Sequence, residues 1–266
     1  MAENRRKIQR TGAVEMIARV LTNFVLCARL LTAQEVSKVE YACPEDDLQD
    51  FGLICSEDEP CRVFLELAAV EASGATAFLT GNLHTDQTTL FGILLASEDG
   101  GKTWTEPAKR LRSSMLDQIQ FADFQHGWIS GVKLEPLPRD PFLLATADGG
   151  KTWRSRPMFE DTRFGSIQQF WFDSAQTGEL ILDRSQGSTK SYEFYDTQTG
   201  GDTWNIKEAT NKQPRLTKAR PRENPTWRLR ADAAAKAYRV EKRTATASGE
   251  RWETIASFSV LAGECK

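Results

Sequence analysis

Two carboxylates stand out in this sequence of 266 residues because the same six-residue run begins at each. Asp99 and Asp148 both open Asp-Gly-Gly-Lys-Thr-Trp. An acid in that place has two uses. It can move a proton at a reacting bond as one of a carboxylate pair, or it can accept hydrogen bonds from its own turn. The neighbours favour the second. Gly101 and Gly150 supply the positive φ of a tight strand-to-strand turn, and Thr103 and Thr152 bring hydroxyls to the acid. Trp104 and Trp153 then open the next strand with a large ring to bury. The motif fixes a turn and fills a core, so both acids are expected to be structural.

Other catalytic chemistry finds little support. Serine or cysteine hydrolysis needs a placed histidine, and the only two are His84 and His126. His126 precedes Gly127-Trp128 between two strands, where a loop or core role is expected. The Gly-Gly pairs join strand to strand rather than strand to helix, so no phosphate loop is expected. No metal cluster is visible and no cofactor is implied. Cys55 and Cys61 lie six apart with no histidine near, a poor zinc pattern. With 37 acidic residues, no spacing singles out a second carboxylate pair for a glycosidase.

The chain has five cysteines. Residues 1–33 have the order of a secretory leader: a basic stretch through Arg10, a short apolar run from Val20 to Ala28, and a small residue, Ala33, where a peptidase can cut. Met16 is an alternative start that gives a more compact leader. The apolar run is shorter than the about 20 residues that span a bilayer, so no stable membrane span is expected. Cys27 leaves with the leader. Cys43, Cys55, Cys61 and Cys265 remain, an even number that suits an oxidising compartment, periplasmic or extracellular. Three pairings are open. Position favours Cys55–Cys61 as a local clip and Cys43–Cys265 as a tie between the chain ends. Net charge is −3, and residues 1–33 hold six basic and two acidic groups. The acidic remainder is a poor nucleic-acid binder.

The elements that hold these residues recur with a long period. Ser97–Trp104 returns as Thr146–Trp153 and, more weakly, as Thr197–Trp204 with Gly201 and Thr203 kept but Thr199 in place of the acid. A fourth, nearly erased copy ends at Trp252. The four tryptophans stand 49, 51 and 48 residues apart. Strand-like apolar runs precede each copy, among them Val63–Val70, Thr89–Ala96, Ile119–Phe124 and Ile167–Phe172. Each period thus holds about four strands, the content of one propeller blade. The expected fold is all-β, a small β-propeller of four blades over residues 63–266, or five if residues 34–62 also pair up. The last period is poorer, because Asp232-Ala233-Ala234-Ala235-Lys236 breaks the alternation.

The two strong copies match Ser/Thr-x-Asp-x-Gly-x-Thr-Trp, and the chain resembles the Asp-box, or bacterial neuraminidase repeat, β-propeller superfamily. The motif is specific for fold and poor for function, since such propellers include sialidases, receptors, cellulases and photosystem II assembly factors. The resemblance to sialidases implies an arginine triad and a Phe/Tyr-Arg-Ile-Pro motif. Nothing here matches that motif; Cys61-Arg62-Val63-Phe64 is nearest in position. The noncatalytic members, the assembly-factor-like propellers, are closer in style. Two functions remain: a binding or assembly scaffold, and a carbohydrate-active protein that either hydrolyses or binds glycans.

Two charge blocks and one loop are candidates for contact with a partner, an unidentified protein or an anionic glycan of the cell envelope. Residues 40–61 hold eight acids and no base. Lys212, Arg215, Lys218, Arg220 and Arg222 crowd a proline-broken connection, followed by Arg228 and Arg230. A closed ring would bring these two blocks together. The loop Leu134–Pro141, stiffened by three prolines, is the other candidate, because long loops on a rigid scaffold commonly bind.

Overall fold

A computed structural model describes residues 36–73, 76–135, 137–215, 226–246 and 249–266. The leader residues 1–33 and the basic residues Lys218, Arg220 and Arg222 lie outside them. After β1 (Val36–Ser37) and a short helix, α1 (Glu45–Asp50), the chain forms four sheets. The first holds β2 (Cys61–Ser73), β3 (Thr76–His84), β4 (Thr89–Ser97) and β5 (Leu111–Arg112). The second holds β6 (Ser114–Phe121), β7 (Gly127–Leu134), β8 (Pro138–Thr146) and β9 (Arg154–Pro157). The third holds β10 (Ser166–Phe172), β11 (Gly178–Asp183), β12 (Tyr192–Thr197) and β13 (Asn205–Thr210). The fourth holds β14 (Trp227–Asp232), β15 (Ala237–Thr246) and β16 (Gly249–Ser259). Successive strands pair antiparallel within each sheet. The protein is all-β, a small propeller of four blades, and residues 36–60 add no fifth.

The strand sequences explain the stacking. Period-two alternation in a sheet covered on both sides puts apolar residues on both faces. The first sheet sends Leu65, Leu79 and Ile93 to one side, where they meet Val240, Ala256 and Phe258 of the fourth. It sends Phe78 and Leu94 to the other, against Leu116, Ile129 and Phe142 of the second. Trp128 and Leu143 of the second meet Phe170, Phe172 and Leu180 of the third. The sheets therefore pack in the order fourth, first, second, third. Among the described residues no hydrophobic cluster spans the third and fourth. The third sheet's far side carries a small cluster of its own, Ile181 and Tyr192 with Trp171 and Phe194.

Polar bridges reinforce two of these seams. The Asn82 side chain donates to the Leu116 carbonyl at 3.1 Å and accepts from the Leu116 amide at 2.8 Å. Gln120 does the same with Phe172, at 2.9 and 2.8 Å. Each buried amide thus copies a backbone ladder step between blades and leaves no polar group unmet.

Each of the three Gly-Gly turns lies against the preceding sheet. Gly101 packs on Ile255 and Trp227, Gly150 on the Phe78 ring, and Gly201 on Leu143. All three glycines have φ between 88° and 94°. The tryptophan that ends each motif closes the seam: Trp104 meets Phe258 edge-on at 5.7 Å, and Trp153 meets Phe78 at 6.0 Å. Gly200 accepts from Trp128 Nε1 at 2.9 Å and from Arg156 Nη1 at 2.6 Å, both in the second sheet. The fourth copy departs from this pattern. A side chain at Gly249 would meet nothing, and Trp252 lies inside β16 with the Arg228 guanidinium 4.2 Å from its ring centre. Its spacing matches the others, but its ring meets the Arg228 and Arg243 guanidiniums and joins no hydrophobic cluster among the described residues.

The chain ends meet within this stack. β17 (Leu261–Cys265) comes one bend after β16 and pairs with β2. β1 runs parallel to β16, with Val36 opposite Ser257; farther on Tyr41 N donates to Ala262 O of β17 at 3.2 Å, and Cys43 is bonded to Cys265 with Cα atoms 5.3 Å apart. That crosslink encloses 222 residues of separation, so unfolded-chain entropy makes it worth on the order of 5 kcal/mol. Cys55–Cys61 clips a local loop.

The Gly150 turn generates a direct prediction. A Cβ there would clash with the Phe78 ring at a left-handed φ, whereas Gly100, also left-handed, faces open space. Gly150→Ala is expected to cost about 3 kcal/mol and Gly100→Ala about 1 kcal/mol, read from urea unfolding midpoints. Equal costs would mean that backbone strain alone, and not the seam, requires the glycine.

Candidate functional site

The acids singled out by their motif are occupied by their own turns. Asp99 Oδ1 accepts from Ser97 Oγ at 2.8 Å and from the amides of Lys102 and Thr103, both at 2.9 Å; Oδ2 accepts from Thr103 Oγ1 at 2.7 Å. Asp148 is held likewise by Thr146 Oγ1, Thr152 N and Thr152 Oγ1 at 2.8, 2.9 and 2.6 Å. The indoles of Trp104 and Trp153 each donate to the glycine carbonyl of their own turn at 3.0 Å. In the third copy Thr199 Oγ1 accepts from Thr203 N at 2.9 Å and lies 2.9 Å from Thr203 Oγ1. A hydroxyl there does part of the carboxylate's work, which is why the turn survives the missing acid. Hydrogen bonds to the charged form hold both acids low. The Thr103 amide and hydroxyl put Asp99 far below the usual carboxylate range, and the Thr152 hydroxyl and amide bring Asp148 to about 2.

The histidines take local roles. His126 Nδ1 lies 2.9 Å from Asp123 Oδ2 in the β6–β7 loop, and His84 Nδ1 lies 3.0 Å from the Thr85 carbonyl. Among the described residues no group of three or more His, Cys, Asp or Glu side chains could hold a metal. No helix among them is long and apolar enough to cross a membrane. Lys212 and Arg215 are exposed in the connection that leaves β13. Among the described residues no ion pair joins them to the acidic block. Arg112 pairs with Asp47 and, at 2.9 Å, with Asp50, and it stacks on Phe51 at 4.7 Å. Tyr41 donates to Asp47 at 2.6 Å. Closure of the acidic block on the basic one involves Lys218, Arg220 and Arg222, which lie outside the described residues. Among the described residues Arg112 of the first sheet pairs with the acidic segment.

A cleft of about 420 Å³ lies between the second and third sheets, at the end opposite the Gly-Gly turns. Leu137, in the proline loop before β8, and Pro138, which opens β8, form one wall, and Phe164, Gly165 and Ser166 form another. Asp183 to Gly187, after β11, form the third. Backbone bonds fix the walls: Gly165 N donates to Pro138 O at 3.0 Å and Asp140 N to Arg163 O at 2.8 Å. Leu137 and Phe164 are exposed, by 59% and 45%. Asp183 Oδ1 accepts from Ser185 N at 2.8 Å. Arg184 is paired with Glu193 at 3.1 Å, whose other oxygen accepts from Tyr195 at 2.7 Å. Burial and then Glu193 push the Tyr195 hydroxyl up to about 12, so it remains a donor. The sequence marks the proline loop and leaves the other two walls unmarked, since they carry no motif.

No family model matches the chain, and no curated protein matches it. Solved structures give weak likenesses. YCF48 bound to a D1 peptide is 20% identical with a TM-score of 0.38, over 73% of this chain and 55% of that one. YCF48 from Cyanidioschyzon merolae is 14% identical with a TM-score of 0.32, over 73% and 72%. The GH74 xyloglucanase from Xanthomonas campestris is 19% identical with a TM-score of 0.35, over 48% of this chain and 18% of the enzyme. The chain thus spans about half of the peptide-bound YCF48 and under a fifth of the xyloglucanase.

The depressed pKa values of Asp99 and Asp148 set a pH dependence. A carboxylate depressed in the folded state stabilises above its unfolded value near 4, and that contribution is lost as pH falls through the folded value. Stability is expected to drop between about pH 4 and 2, and the drop should be shallower in Asp148→Asn. Melting temperatures across that window measure it; identical slopes would remove the carboxylate from the turn's energetics.

Proposed function

We propose that the chain is an exported, noncatalytic Asp-box propeller that serves as a binding or assembly scaffold for a protein or an anionic glycan of the cell envelope. The observation that carries this reading is the cleft lining. Glycosidases need two carboxylates across a reacting bond, and the lining offers Asp183 alone, already accepting a backbone amide. A cleft of a few hundred Å³ in which Leu137, Pro138 and Phe164 face a polar wall of Asp183 to Gln186 has the character of a binding site. Two disulfides and the leader-like residues 1–33 support export. The exposed Lys212 and Arg215, with Lys218, Arg220 and Arg222 next to them in sequence, support contact with an anion.

The test uses purified protein. No sialoside or common glycoside should be hydrolysed, and measurable turnover overturns the noncatalytic reading. The protein should be retained on immobilised heparin in a salt-sensitive way, because exposed charges are screened beyond about 8–10 Å at physiological ionic strength. Reversing Lys212, Arg215, Lys218, Arg220 and Arg222 to Glu should abolish retention with the melting temperature unchanged. Unchanged retention would return the connection to ordinary surface.

A further inference from the structure

We infer that the cleft between the second and third sheets takes an apolar side chain carried beside a cationic group, on an extended segment of a partner protein. This rests on the cleft being a binding site, as proposed above. Its charges are unequal. Arg184, the cation of the lining, is matched by Glu193 at 3.1 Å. Glu193 in turn has its second oxygen filled by the Tyr195 hydroxyl at 2.7 Å. Among the described residues no cation pairs with Asp183, which accepts from the amide of Ser185. That bond fixes the carboxylate without neutralising it. The cleft therefore shows one negative charge beneath apolar walls, Leu137 on one side and Phe164 on the other, both substantially exposed.

Gly165 lets its wall lie directly on the Asp183 backbone. Its φ is +139°, and a Cβ there would lie 2.8 Å from the Asp183 carbonyl oxygen. A glycine keeps both the backbone path and this close approach. An anionic ligand would meet Asp183 with no free cation of the lining to offset it. A neutral apolar ligand would leave the charge desolvated and unpaired. A leucine-like side chain next to arginine satisfies both features.

The test is an NMR titration of ¹⁵N-labelled protein with N-acetyl-Leu-Arg-amide, with the Leu-Gln and Leu-Glu dipeptides as comparators. The expected result is amide shifts confined to residues 164–166 and 183–187, with the Arg dipeptide bound about tenfold more tightly than the Gln dipeptide. Asp183→Asn, which keeps an acceptor for Ser185 N, should erase that preference. Leu137→Ser, at an exposed position, should weaken all three. Equal affinities, a preference for Glu, or no shift at about 10 mM overturns the ligand assignment and leaves the scaffold reading standing. Hydrolysis of a glycoside, by contrast, overturns the scaffold reading itself.

Discussion

Sheets in a propeller touch face to face, and their turns must not hold them apart. Here a glycine with no side chain, at a φ that only glycine adopts freely, lets each Gly-Gly turn lie on the aromatic or aliphatic surface of the sheet before it. The rest of the repeat serves that contact. The Ser or Thr hydroxyl receives the glycine amide, at 2.7 Å from Gly101 and 3.0 Å from Gly150. The acid holds the loop shut, and the tryptophan fills the space the turn leaves. Remove the apolar neighbour, as at Gly249, and no constraint keeps the motif intact; that copy is also the one whose sequence has decayed.

The same logic accounts for the chain ends. Propeller seams depend on residues distant in sequence, so loop-closure entropy opposes them until the ends are tied. β1 and β17 tie the fourth sheet to the first by backbone pairing, and the Cys43–Cys265 bond makes the tie covalent. The acidic segment is anchored through Asp47, which is buried against Tyr41 and Arg112, while its other acids stay exposed. That leaves the basic connection after β13 without this acidic block as a partner among the described residues. The cleft and the basic connection are the two places to which the proposed scaffold reading assigns recognition.

Much of the fold was legible because its repeat is a local, spaced pattern. Asp-Gly-Gly-Lys-Thr-Trp fixes turn type, strand boundaries and a buried ring within a few residues, and the two strong copies set the period. The cysteine pairs could be read from position. What failed to show was non-local. Asn82 and Gln120 read as ordinary polar residues inside strands, and only the neighbouring blade reveals their bridging role. Thr199 looked like a loss because hydroxyl and carboxylate can accept from the same donors. Trp252 kept the spacing but joins no hydrophobic cluster among the described residues. The cleft walls at Phe164–Ser166 and Asp183–Gly187 have no motif, since a binding surface made of loop ends needs shape, not a fixed sequence.

If seams held by Gly-Gly turns carry the stability, sheets with two such seams should open last. The first and second sheets have two, and the third has one. Native-state amide hydrogen exchange under increasing denaturant measures this directly. The account predicts that amides of β11 and β12 exchange through an opening of lower free energy than those of β3 and β7. A single common opening energy for all four strands would contradict it.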